Sequence, residues 1–223
     1  MSFTIYKTFP KTLKFTSSNS HYSLGSTISD IKYVYSKSSG YIHYHVSSDT
    51  EPNANQGLSA GSILQTGLYQ LGTTTNMNSV AFSSNTNLGS IDTTVEFYVS
   101  NDVDKIELTE SNQNAPTSLV VQETYPNSKE YTLLDGSFVT YKSNIKHKIV
   151  VGFEYLPVGT LEDLQKLSKS TVIVVPEIEN SAGVSPFEDI AYVCNWQGSS
   201  LKFEYANPYK KAGYKGQISF LEV

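Results

Sequence analysis

Apolar and polar residues alternate one by one through much of this chain. In residues 93–99, Val95, Phe97 and Val99 fall on one side, and in residues 147–156 Ile149, Val151, Phe153 and Tyr155 do the same. A period of two sends successive side chains to opposite faces of a strand, so these runs form half-buried strands and not helices. Turn residues bound them, which makes the expected fold class mainly β: two sandwich- or barrel-like domains, the second with one short flanking helix. Composition agrees. Charged residues are 17% of the chain, against about 25% in ordinary soluble domains, and Ser, Thr, Asn and 16 tyrosines take their place. Tyr and Thr suit the pleated surface, and Asn and Ser suit its connections.

In the first half, residues 31–35 and 41–46 flank a Ser/Gly-rich loop and read as a hairpin. Residues 49–57, rich in Asn, Pro and Gly, read as a loop, and short strands follow at 63–64, 68–71, 79–83 and 93–99. Residues 109–117 carry no periodic apolar signal, which places a domain boundary there, between 1–110 and 111–223. A long loop inside one domain is the competing reading. In the second half, strands are expected at 118–123, 129–134, 137–141 and 147–156. Asp135-Gly136 marks a tight hairpin between the second and third.

One helix is expected, at 160–169. Thr160 is its N-cap, Glu162 and Asp163 lie near its N-terminus, and Leu161, Leu164 and Leu167 form the stripe that packs on a sheet. Strand 171–175 is expected to stop at Pro176. After a polar excursion at 177–189, strands at 190–196, 200–206 and 213–223 close the chain.

Candidates for chemistry are sparse. His43 and His45, at i and i+2 on a strand, project from one face and are the candidate metal ligands; two imidazoles alone do not define a site. The competing reading puts both on the solvent side. His21 and His147 have no local partner. Asn101-Asp102-Val103-Asp104 offers alternating oxygens but lacks the Gly and later Glu of a calcium loop, so it reads as a turn that ends a strand. Glu96, Glu107, Glu154 and Glu204 sit near aromatic residues, but sequence cannot place two at the separation a glycosidase needs. No nucleophile elbow, zinc-protease motif or phosphate loop occurs, so no catalytic residue, no cofactor and no enzymatic activity are expected. Trp196 reads either as a sugar-stacking platform with the tyrosines or as a core residue beside the helix.

The net charge of -5 lacks the basic footprint that phosphate neutralisation needs, so nucleic acid is not the expected main partner. Cys194 is the single cysteine, which excludes an internal disulfide. The segment Met1-Ser2-Phe3-Thr4-Ile5-Tyr6-Lys7 has no apolar signal-peptide core, and no apolar run approaches a membrane span. Synthesis in a cytoplasm without membrane insertion is expected.

The series from the long strand Lys148-Ile-Val-Val-Gly-Phe-Glu-Tyr-Leu156 to the helix Thr160-Leu-Glu-Asp-Leu-Gln-Lys-Leu167, the strand Val172-Ile-Val-Val-Pro176, a polar insertion and a closing meander resembles bacteriophage tail and baseplate proteins of the tail-tube and distal-tail type. The resemblance covers residues 118–223 and is one of element order, without a diagnostic motif. It implies a virion structural protein whose partners are copies of itself and other tail proteins. It also implies that edge strands and loops, 49–57 and 177–189 among them, dock onto neighbours in a symmetric assembly. The first half departs from it and reads as an attachment or decoration module. The rival reading is a carbohydrate- or receptor-binding module directed at host-surface glycan.

Overall fold

The computed structural model describes residues 2–15, 19–37, 42–47, 63–64, 67–70, 77–84, 93–109, 114–141, 144–177, 191–197, 203–207 and 212–223. In chain order the elements begin with β1 (Ser2–Phe15), β2 (Asn19–Ile28), β3 (Ile31–Lys37), β4 (Ile42–Ser47), β5 (Ile63–Leu64), β6 (Gly67–Gln70), β7 (Met77–Ser84) and β8 (Thr93–Leu108). Then come β9 (Ser118–Thr124), β10 (Lys129–Thr132), β11 (Phe138–Tyr141), β12 (Lys146–Leu156), α1 (Val158–Leu167), β13 (Thr171–Glu177), β14 (Tyr192–Trp196), β15 (Glu204–Asn207) and β16 (Ala212–Glu222). The protein is mainly β with one short helix, as the alternation predicts.

The chain forms two compact units, Ile5–Lys105 and Ile106–Val223 together with Met1–Thr4. The sequence expectation set the division at 110/111 and gave the first residues to the N-terminal domain. In the first unit, β6, β3, β8 and β1 run side by side in that order, and β2-β7-β4-β5 makes a separate sheet. Ile31, Tyr33 and Val34 on β3 and Phe97 and Val99 on β8 are buried, and Tyr33 meets Tyr6 edge-on at 5.3 Å. A bulge sets Ile31 opposite Asn101 and Tyr33 opposite Ser100.

The second unit contains the order β13-β14-β16-β12-β9, with β15 on β16. Its core is a row of large side chains: Ile149, Val151 and Phe153 on β12, Ile218 and Phe220 on β16, Val172 to Val175 on β13, and the helix leucines 161, 164 and 167. Phe220 lies 5.9 Å from the Phe3 ring and 5.1 Å, edge-on, from Trp196. Trp196 is thus a core residue, not a surface platform.

Three local expectations need correction. The helix starts two residues early, at Val158, because Pro157 with φ -59 presets the entry and no side chain caps it. Thr160 therefore lies inside the first turn, and Glu162 and Asp163 lie beyond it. Lys166 meets Asp163 at 2.7 Å, one turn apart. Second, Tyr155 does not share the buried face of β12. A register shift between Phe153 and Leu156 inverts the phase, so Leu156 is buried and Tyr155 is exposed. The displaced ring lies over Gly213, whose φ of +65 and missing Cβ make room for it. Third, β13 runs past Pro176 to Glu177. Its pairing with β14 ends at Val174↔Tyr192, so β14 asks for no N–H at Pro176.

Candidate interaction surface

β9 and β12 form an unbroken antiparallel ladder from Ser118↔Gly152 to Thr124↔Lys146. Beyond its open end the chain does not turn at once. Residues 129–141 form a second, separate ribbon, β10 with β11, in register from Lys129↔Tyr141 to Thr132↔Phe138. The turn is the one that Asp135-Gly136 announces. Gly136 takes φ +81, its N–H donates to the Leu133 carbonyl at 2.9 Å, and Leu133 N–H donates to the Ser137 carbonyl at 2.8 Å. The Asp135 carboxylate accepts from both the Ser137 amide (2.9 Å) and its hydroxyl (2.6 Å). These two donors hold the Asp135 carboxyl below its ordinary value of 3.8.

This ribbon is exposed along most of its described length. Every residue of β10 and of the turn faces solvent, with Leu134 wholly exposed and Phe138 76% exposed. Cross-strand pairing puts Tyr131 and Val139 on one face, with Leu133 following on that side. Of the large hydrophobic residues exposed among the described residues, Val120, Tyr131, Leu133, Leu134, Phe138 and Ile145 all belong to residues 118–145, a minor share of the chain. Scattered exposed apolar residues are ordinary, but a run of them on a preformed ribbon makes this the candidate contact surface.

The root of the ribbon is pinned. The Glu222 carboxylate accepts from the His147 amide at 2.9 Å and lies 2.7 Å from its ring Nδ1. The ring also packs on Tyr192 at 4.8 Å. His147 has no partner near it in sequence, and its carboxylate comes from 75 residues away. Local spacing carries no trace of this contact. Burial, and secondarily Glu222, push the Tyr192 phenol upward. The same two causes push the Cys194 thiol well above its ordinary value of 9.0, which keeps it neutral. The buried Cys194 is a packing residue.

The other candidates fall elsewhere. His43 and His45 occupy β4 opposite Ser83 and Ala81 of β7 in the backbone register, and their side chains lie outside the described residues, as does that of His21. Loop 49–57 and nearly all of 177–189 also lie outside them. Asn101–Asp104 does not end a strand, since β8 continues through it to Leu108. The Asn101 side-chain oxygen accepts the Asp104 amide at 2.8 Å, and Lys105 approaches Asp102 at 3.6 Å. Glu204 pairs with Lys215 at 3.4 Å, Glu107 and Glu154 are exposed on β8 and β12, and Glu96 is half-buried on β8. Among the described residues no group of three or more His, Cys, Asp or Glu is placed to hold a metal ion, and no helix is long and apolar enough to cross a membrane.

No protein-family model, curated protein or solved structure matches the chain.

Proposed function

We propose that the protein is a non-enzymatic structural component of a bacteriophage virion, in the tail or baseplate, and that it works through contacts between subunits of a symmetric assembly. The observation that carries the assembly part of this reading is the exposed ribbon β10–β11. A two-stranded hairpin alone in water is marginal, and one with an apolar face gains stability when a neighbour covers it. Its turn is already ordered by Asp135 and Ser137, so docking gives up little conformational freedom. The virion part is supported by the element order over residues 118–223: long strand, short helix, apolar strand, closing meander. Partners on this reading are copies of the chain and other tail proteins, and repeated weak contacts add up through symmetry.

Light scattering and negative-stain imaging over a concentration series test it. Wild-type protein is expected to form a defined oligomer or closed ring, and the double variant Leu134→Asp/Phe138→Asp to remain folded but monomeric. A wild-type protein that stays monomeric, alone and with candidate tail partners, contradicts the reading.

One observation favours a second reading, a glycan-binding module. Tyr205, 42% exposed, stacks on its cross-strand neighbour Tyr214 at 5.1 Å. Paired phenol rings of this kind offer a sugar an apolar face with hydroxyls at its rim. Binding on a glycan array that is lost with Tyr205→Ala favours the module.

A further inference from the structure

Open sheet edges are pairing sites unless something blunts them, and most edges among the described residues are blunted. β5 has two residues, β6 and β15 have four each, and the ladder of β2 on β7 is broken by a register shift between Ser23 and Ile28. On the ribbon, β10 is short and carries Lys129 and Glu130. β9 is different. It has seven residues, pairs with β12 without a shift, and from Ser118 to Gln122 contains no charge and no proline. Its other side meets no strand among the described residues.

We propose that this edge pairs antiparallel with β9 of a second copy of the chain, about a two-fold axis at Val120. The sequence fits itself in that register. Val120, half-exposed on the outer face, meets the partner's Val120, and Leu119 meets the partner's Val121 on the face that looks towards the core. Ser118 meets the partner's Gln122, and Glu123 meets the partner's Thr117, so no like charges stand opposite one another. A centre at Val120 keeps each residue on its own face, which a one-residue slip would not. It also gives outward-pointing amides a matching partner whichever alternate residues of β9 point outward. Seven residues a side is less than the roughly 20–30 of a standard interface, so the pairing is weak on its own and is reinforced by the apolar ribbon that follows β9 in the chain. This inference deepens the assembly reading, resting on it for the premise that copies meet, and names the edge and the partner.

The test uses the full chain. Val120→Lys sets two ammonium groups against each other across the axis. It is expected to weaken self-association at least about tenfold in sedimentation velocity, with an unchanged melting temperature. Val120→Cys supplies the positive arm: directly opposed residues have Cα atoms about 4.5–5.5 Å apart, within disulfide range. Oxidation is expected to link V120C into a dimer on a non-reducing gel and to leave Q122C, which faces Ser118, unlinked. Undiminished association of V120K, or equal linking of V120C and Q122C, overturns the proposal. If association is lost in Leu134→Asp/Phe138→Asp but kept in V120K, the β9 pairing falls and the assembly reading stands. If the wild type never associates, both fall.

Discussion

β12 and the β10–β11 ribbon are built on the same alternation, yet they use it in opposite ways. In β12, Ile149, Val151 and Phe153 are buried against β16 and the rest of the core. In the ribbon, Tyr131, Leu133 and Val139 repeat the pattern on one face and Phe138 lies on the other, with no layer over either among the described residues. The two segments are joined within a few residues, so neither composition nor propensity separates them. What separates them is what the chain later brings back: β16 pairs along β12, α1 packs against β16, and nothing described returns to the ribbon. An apolar stripe is therefore a statement about need for cover. Where the chain supplies the cover itself it is core, and where it does not, another molecule is the natural supplier.

The contrast breaks most visibly on truncation of one aromatic in each region. Phe220→Ala removes a ring buried between Phe3 and Trp196 and is expected to lower stability by about 3–5 kcal/mol in urea titration. Phe138→Ala is expected to change it by less than about 0.5 kcal/mol. Comparable losses would mean that the ribbon is part of the fold's own packing. Gly213→Ala sharpens the β12 side. A Cβ there meets the Tyr155 ring and sits at positive φ, so roughly 2 kcal/mol is expected to be lost; adding Tyr155→Ala should recover part of this in a double-mutant cycle.

Cys194 probes the same core through pH. Its folded value is raised, so its contribution is fully present below the ordinary 9.0 and is lost as pH rises past it. Stability is expected to decline above pH 9 more steeply in wild type than in Cys194→Ala. Native protein at pH 8 should react slowly with a thiol reagent, and unfolded protein rapidly. The smallest effect belongs to the ribbon's turn. Asp135 has a lowered folded value, so its hold on Ser137 is present above 3.8 and lost as pH falls through the lowered value. Carboxyl NMR titration is expected to place Asp135 below a free aspartate in wild type and to bring it only part of the way back in Ser137→Ala, which removes the hydroxyl donor and keeps the amide.

Much of the fold is legible in the sequence. Val95, Phe97 and Val99, the β12 stripe as far as Phe153, the helix leucines and the Asp135-Gly136 turn all announce themselves through local spacing. Legibility stopped where a local rule met a distant one. The bulge after Phe153 reverses the phase because β16 pairs across it, and Pro157 starts α1 before the Thr160 cap that the sequence offers. The candidate surface was legible as a hairpin but not as an exposed one, since alternation reports that a face is apolar and not whether it is covered. The tie between His147 and Glu222 was invisible for the same reason: each is an ordinary strand residue until β12 and β16 become neighbours.

Hydrogen exchange measured at low and high protein concentration tests the central claim most directly. Amides of β10 and β11 and the outward-facing amides of β9 are expected to gain protection as concentration rises, while those of β12 and β16 stay constant. Exchange in β9–β11 that is independent of concentration, and equally fast with and without candidate partners, would contradict the claim that this arm is where the protein meets its neighbours.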